Sequence, residues 1–228
     1  MIRAATLIIA LFVCVGAAGA AGAAQFGPSQ HAIKDDTGDP MTNFDLGADL
    51  SARLAKLPGQ MPVGNLQGDV TLLQFYDLNC PFCREAAADV DTLVRTDKKL
   101  KLVFVPYAVL SVASAQGALV EVEAAKLLTP EKYLEFHRRI YANRGLIDGP
   151  RVLAAAQDVG LDQQKLAAAA NTEANLNVLR ANADFGTAAK MVATPAYIIN
   201  GVAILGHPGL KPLQDVIKSV RACGKVVC

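Results

Sequence analysis

The order of apolar patterns predicts an α/β fold, a central mixed sheet interrupted by a block of helices. Three observations carry that reading. Val70-Thr71-Leu72-Leu73-Gln74-Phe75-Tyr76 and residues 99–105 are two strand-like runs joined by one helical pattern, and a strand–helix–strand crossover implies parallel neighbours. Residues 111–191 then carry helical patterns only. Last come Ala196-Tyr197-Ile198-Ile199 and Val202-Ala203-Ile204-Leu205 around Asn200-Gly201, a strong two-residue hairpin signal.

Taken in order, the chain opens with a segment apart from the fold. Arg3 supplies one charge, residues 4–15 are apolar except Thr6, and an Ala/Gly run to Ala24 offers small-residue cleavage sites. This is the pattern of an export signal, residues 1–24, cut near Ala23 or Ala24, with an apolar core short for a spanning helix. Cys14 falls within it. Without Arg3 the formal charge of +1 drops to zero, so no basic surplus exists for nucleic acid and no polybasic patch for a membrane. Residues 25–228 suffice for one full core.

Residues 25–67 read as a flexible leader and a short helix. The leader, to about Pro40, is polar with Gly, Pro and Asp35-Asp36. Leu46, Leu50, Leu54 and Leu57 then share one helical stripe within 45–57. So short a helix is marginal alone, so it must dock either on the main domain or on a second copy as a homo-oligomer contact.

The main domain is expected over 68–110 and 192–228, with 111–191 as the insertion. After the first strand, Asp77-Leu78-Asn79 makes a turn, and Phe82, Ala86, Val90 and Val94 form one helical stripe. Pro81 suits the first turn of that helix, where a missing N–H costs nothing. Cys80 and Cys83, two intervening residues apart, therefore stand at the positive end of a helix dipole. That position favours the thiolate, the reactive form. In the insertion, Thr129-Pro130 and Asp148 read as helix starts and Gly160 as a stop. Tyr133, Phe136 and Tyr141 recur at helical spacing and read as core. Pro208-Gly209 breaks the chain before a last helix with Leu210, Leu213, Val216, Ile217 and Val220 on its apolar face.

Two further elements make the chain specific: Thr194-Pro195-Ala196-Tyr197-Ile198-Ile199-Asn200-Gly201, and the helical insertion between it and Phe75-Tyr76-Asp77-Leu78-Asn79-Cys80-Pro81-Phe82-Cys83. With these the chain resembles exported DsbA-like thiol–disulfide oxidoreductases of the thioredoxin-fold superfamily over roughly residues 68–221. The resemblance implies a thioredoxin-like fold, Cys80 as nucleophile and Cys83 as resolving cysteine. It implies Pro195 as a cis-proline facing them, with Thr194 offering its backbone to an extended substrate beside Pro81 and Phe82. It also implies no cofactor, a periplasmic location, cysteine-containing exported proteins as substrates, and a membrane redox partner that resets the pair. One departure stands out. Relatives often hold a buried acid six residues before the first cysteine, and here that residue is Gln74, which cannot take up a proton at neutral pH. Asp77 is the nearest acid in sequence, open to a proton role through water or to capping its turn.

The expected function is disulfide introduction into secreted proteins by dithiol exchange, since Pro81 and Phe82 add no charge. Thr194 before the proline suits an isomerase or reductase as well. A periplasmic copper-binding protein is a third reading. A four-cysteine metal site is disfavoured, because a final helix of a dozen residues carries Cys223 ~18 Å from the level of Cys80. Cys223 and Cys228 instead suit a structural disulfide, worth roughly 2 kcal/mol. Of the histidines His31, His137 and His207, only His207 is expected at the active-site end.

Overall fold

A computed structural model describes residues 29–142 and 144–228; the expected export signal lies outside them. In chain order the elements are β1 Asn43–Asp45, α1 Gly47–Leu54, β2 Met61–Gly64, β3 Val70–Tyr76, α2 Pro81–Thr96 and β4 Leu100–Pro106. The helical block follows as α3 Val112–Ala125, α4 Pro130–Ala142, α5 Gly149–Asp158, α6 Gln163–Ala170 and α7 Glu173–Ala188. β5 Ala196–Ile199, β6 Val202–Leu205 and α8 Leu210–Cys223 close the fold. The sheet runs β1-β6-β5-β3-β4-β2. β3 and β4 are parallel, and the other pairs are antiparallel. This is the expected mixed α/β sheet of thioredoxin-like type.

Central β3 is apolar on both sides because both sides are covered. Leu72 and Tyr76 join one core with Val90 and Leu93 of α2, Phe136 and Ile140 of α4, and Leu213 and Ile217 of α8. Leu73 and Phe75 join a second core with Val105, Tyr107, Phe185 and Ile198. α7 comes so near this second face that a Cβ on Gly186 would lie 2.4 Å from the Tyr107 ring. The β5–β6 hairpin turns through Asn200 and Gly201, whose φ angles of 48° and 79° are the left-handed values a tight hairpin turn requires. The helix starts also follow local chemistry. Thr129 Oγ1 accepts from the Lys132 amide, and the Asp148 carboxylate accepts from the Arg151 amide.

The structure corrects the reading of the N-terminal part. The described portion of the expected flexible leader, 29–40, is fastened to the sheet. Ile33 and Met41 are buried, and the Met41 amide donates to the Ile33 carbonyl. Between them Asp35 accepts from the amides of Thr37 and Asp39, so the polar run is a hydrogen-bonded turn. Polar composition signalled disorder because the two anchoring apolar side chains are isolated in sequence. The sequence also concealed β1 and β2. β1 has three residues, and β2 contains Pro62 and Gly64, which read as breakers. Both are edge strands, where a proline's missing N–H can face away from the ladder. The leucine stripe docks within the chain: Leu46 is buried, and Leu50, Leu54 and Leu57 pack on the second core.

Candidate active site

The turn after β3 is held by a carboxylate. Asp77 accepts from the Asn79 amide at 2.8 Å and Ser114 Oγ at 2.6 Å through Oδ1, and from the Val109 and Leu110 amides at 2.9 Å each through Oδ2. Four donors on a buried side chain make Asp77 a joint between β3, the segment after β4, and α3. Asn79, which the sequence reading passed over, ties the same turn to the insertion. Its Oδ1 accepts from the Ile147 amide at 2.7 Å, and its Nδ2 donates to the Ile147 carbonyl at 2.8 Å. Neither bond has a sequence signal beyond the polarity of the residue, since the partner lies 68 positions away.

That joint aims Cys80. It is the N-cap of α2, with Pro81 at the helix start. Its Sγ lies 3.0 Å from the Thr194 carbonyl oxygen, to which the thiol donates. The Thr194–Pro195 peptide is cis, and Pro195 is buried beside the start of β5. Thus Cys80, Cys83, Thr194 and Pro195 meet at one end of the sheet. Pro81 and Phe82 form the outer lip, Phe82 being 60% exposed.

The two sulfurs are electrostatically unequal. Cys80 is lowered from the ordinary 9.0 to about 6, first by the hydrogen bond from Cys83, against burial, then by bonds with the Thr194 side chain and the Cys83 and Phe82 amides. Cys83 moves strongly upward, mainly through burial and then through donating to Cys80. A thiolate at Cys80 and a protonated thiol at Cys83 are one coupled arrangement. It is a nucleophile with a reserve proton beside it.

Gln74 of β3 is buried. Its Nε2 lies 3.5 Å from the Tyr197 hydroxyl, while its Oε1 has no hydrogen-bond partner. His207 bonds Tyr197 and Asp89. Behind the site, α3 and α4 bury a polar cluster that the sequence reading did not assemble. Glu121 accepts from Tyr76 at 2.9 Å and Tyr133 at 3.4 Å, and burial raises it from 4.5 to about 8. His137, stacked on Phe104 at 4.1 Å, is pushed down by burial to about 3 and stays neutral. Cys223 and Cys228 are bonded to each other at the far end of α8. His31 pairs with Asp45, away from these groups. Among the described residues no cluster of three His, Cys, Asp or Glu side chains is arranged to hold a metal ion.

Comparison with known proteins gives the same picture. A family model described as Thioredoxin matches residues 56–219. A thioredoxin-like oxidoreductase from Silicibacter pomeroyi is 28% identical, with a TM-score of 0.67, over 74% of this chain and 96% of its own. The catalytic domain of Proteus mirabilis ScsC shares the fold at 18% identity, TM-score 0.67, covering 76% of this chain and 97% of that one. The thiol-disulfide exchange protein alpha-DsbA2 from Wolbachia pipientis does so at 20% identity, TM-score 0.65, covering 75% and 96%. A search of the curated proteins found no match. The chain belongs to the thioredoxin family, and its resemblance to DsbA-like thiol–disulfide oxidoreductases stands.

Proposed function

We propose that this thioredoxin-family chain introduces disulfides into exported proteins by dithiol exchange through Cys80 and Cys83. The observation that carries the reading is the split between the two thiols, Cys80 near 6 and Cys83 driven upward. When the Cys80–Cys83 bond is intact, a substrate thiolate attacks the Cys80 sulfur and Cys83 leaves with the electron pair. A second substrate thiolate then attacks its partner sulfur in the mixed disulfide, and Cys80 leaves as a stabilised thiolate. The substrate gains a disulfide, and the protein keeps two electrons as a reduced pair.

Substrate recognition fits an extended, apolar polypeptide. Phe82, Val109, Leu110, Val112, Leu146 and Val192 are exposed. Several sit directly on the joint: the Val109 and Leu110 amides bond Asp77, and Leu146 precedes the Ile147 anchor of Asn79. The Thr194 backbone beside Cys80 supplies an edge for strand-like pairing. A periplasmic location is supported by the expected export signal at 1–24 and by the exposed Cys223–Cys228 bond, which suits an oxidising compartment. A membrane redox partner reoxidises the pair after each turnover.

An isomerase or reductase is the second reading, favoured by the size of the Cys80 shift. At pH 7, a thiol at about 6 instead of 9.0 stabilises the reduced form by only ~1.4 kcal/mol, ~30 mV for a two-electron couple. Equilibrating the pair against glutathione separates the two. An oxidase gives a potential well above that of a reductant and oxidises a reduced peptide faster than it reshuffles a scrambled protein. A strongly reducing potential rules out the oxidase.

A further inference from the structure

The two sulfurs of the Cys223–Cys228 bond belong to exposed residues, yet they sit in unequal settings. Ser219, one turn before Cys223 on α8, directs its hydroxyl at Cys228, with Oγ 2.8 Å from Sγ. The Ser219 carbonyl oxygen lies 3.3 Å from the same sulfur. A hydroxyl donates to a thiolate and a carbonyl accepts from a thiol. Cys228 therefore has a partner for either protonation state once the bond is open. Cys223 has only the Lys225 carbonyl oxygen, 3.9 Å from its Sγ, an acceptor that gives a thiolate no support. It also ends α8, where the helix dipole opposes negative charge.

The chain around the bond is held without it. Val226, between the cysteines, is buried in the main core, and Asn200 Nδ2 donates to the Gly224 carbonyl at 2.6 Å. Cys228 also lines a cavity of about 530 Å³ together with Ser219 and Val226, which gives a departing sulfur room. Opening the bond thus leaves Cys228 beside Ser219 and able to return. In thiol exchange the better-stabilised thiolate leaves faster. Here that is Cys228, so the sulfur attacked is Cys223. Exposed large apolar side chains cluster around the first pair, whereas only Val227 adjoins the second. A small soluble thiol needs no apolar surface, and exposed Lys225 between the two cysteines adds positive charge that draws an anionic one.

We propose that the Cys223–Cys228 bond is a reversible modification site for small anionic thiols of the glutathione class, with Cys223 as the residue modified. The proposal stands apart from the exchange chemistry of Cys80 and Cys83. The thiolate of the small thiol attacks Cys223 Sγ. A new S–S bond forms there as the Cys223–Cys228 bond breaks, and Cys228 leaves with the electron pair, its charge met by the Ser219 O–H. The disulfide that opens is itself the oxidant, so no other is consumed. In the return step the Cys228 thiolate attacks Cys223 Sγ, the protein bond reforms, and the small thiol departs as a thiolate.

The test uses the oxidised mature protein carrying Cys80→Ala and Cys83→Ala, so that only the second pair reacts. It is mixed with reduced glutathione, quenched with iodoacetamide at intervals and digested with trypsin. Cleavage after Lys225 parts Cys223 from Cys228, and mass spectrometry reads which carries glutathione and which the alkyl group. Glutathione is expected on Cys223 in roughly fivefold excess over Cys228, the worth of one hydrogen bond. Ser219→Ala should slow opening by about the same factor and erase the preference. Ser219→Thr, which keeps the hydroxyl, should restore both. If the double variant fails to fold, the native mature protein gives the same reading, because the two pairs fall in different peptides. Equal labelling of the two cysteines overturns the proposal, as do glutathione chiefly on Cys228, a preference that survives Ser219→Ala, and a bond that glutathione does not open. Peptide capture by Cys80 is measured separately and bears only on the function proposed above.

Discussion

The chain holds two close cysteine pairs, and their surroundings could hardly differ more. Cys80 and Cys83 stand at the start of α2, buried, where unpaired amides and the helix dipole favour negative charge. Cys223 is the last residue of α8 and its partner follows a left-handed Gly224. There the dipole has the opposite sign, and a thiolate gains nothing from it. The first pair lies in the buried interior, which also holds titratable groups such as Glu121, His137 and Tyr197. The second is exposed, with Ser219 as neighbour. Reactivity in this molecule therefore follows a cysteine's surroundings: at Cys80 the neighbouring Cys83 thiol, then Thr194 and the amides of the helix start, favour the thiolate. Protons should act on the first pair and reductant strength on the second.

The largest test removes one sulfur. Cys80→Ala should abolish peptide capture, a loss of ~10³-fold or more, whereas Cys223→Ala with Cys228→Ala should leave capture within about twofold. Equal losses from both would erase the contrast.

Next in size is the buried charge near the first pair. Glu121 is raised from 4.5 to about 8, so between these values the unfolded chain has released a proton that the fold retains. Stability then falls as pH rises through that window, by a few kcal/mol. His137, lowered from 6.5 to about 3, has the opposite sign: stability rises with pH between those values. Above 6.5 only the Glu121 fall is left of the two. Urea midpoints from pH 6.5 to 8.5 should show it in oxidised protein, whose bonded Cys80 and Cys83 do not titrate. Glu121→Gln should flatten it.

Removing the Cys223–Cys228 bond should cost about 2 kcal/mol, from the entropy of its short loop, with no change in the slope of stability against pH. The smallest effect sharpens the other side. Capture by Cys80 should be nearly flat above pH 7 and fall about tenfold per pH unit well below 6, as the thiolate is protonated. A midpoint near 9 would show that the first pair has no advantage over an ordinary thiol.

Much of this was legible in the residues. β3 ran over the expected residues because an apolar run bounded by turn residues leaves little choice of register. The β5–β6 hairpin was equally plain, because Asn200-Gly201 can satisfy the two left-handed positions without strain. The leader was misread for the converse reason: Ile33 and Met41 are too sparse to form a pattern, yet each finds a pocket in the assembled sheet. At the site, Cys80 and Cys83 were visible as a motif. Asp77 was visible only as an acid with two open roles, and four donors arriving from three segments make it a joint.

By itself the sequence determined the element order, the mixed sheet, the placing of the cysteines at a helix start and the loss of the expected acid at Gln74. These are local matters, written in periodicity, capping and spacing. The tertiary structure alone decided how Thr194 comes to face Cys80 across 114 positions, and that Tyr197, His207 and Asp89 line up behind Gln74. Those outcomes depend on distances of a few ångströms between residues far apart in the chain. Sheet register and helix docking set such distances, and no local pattern records them.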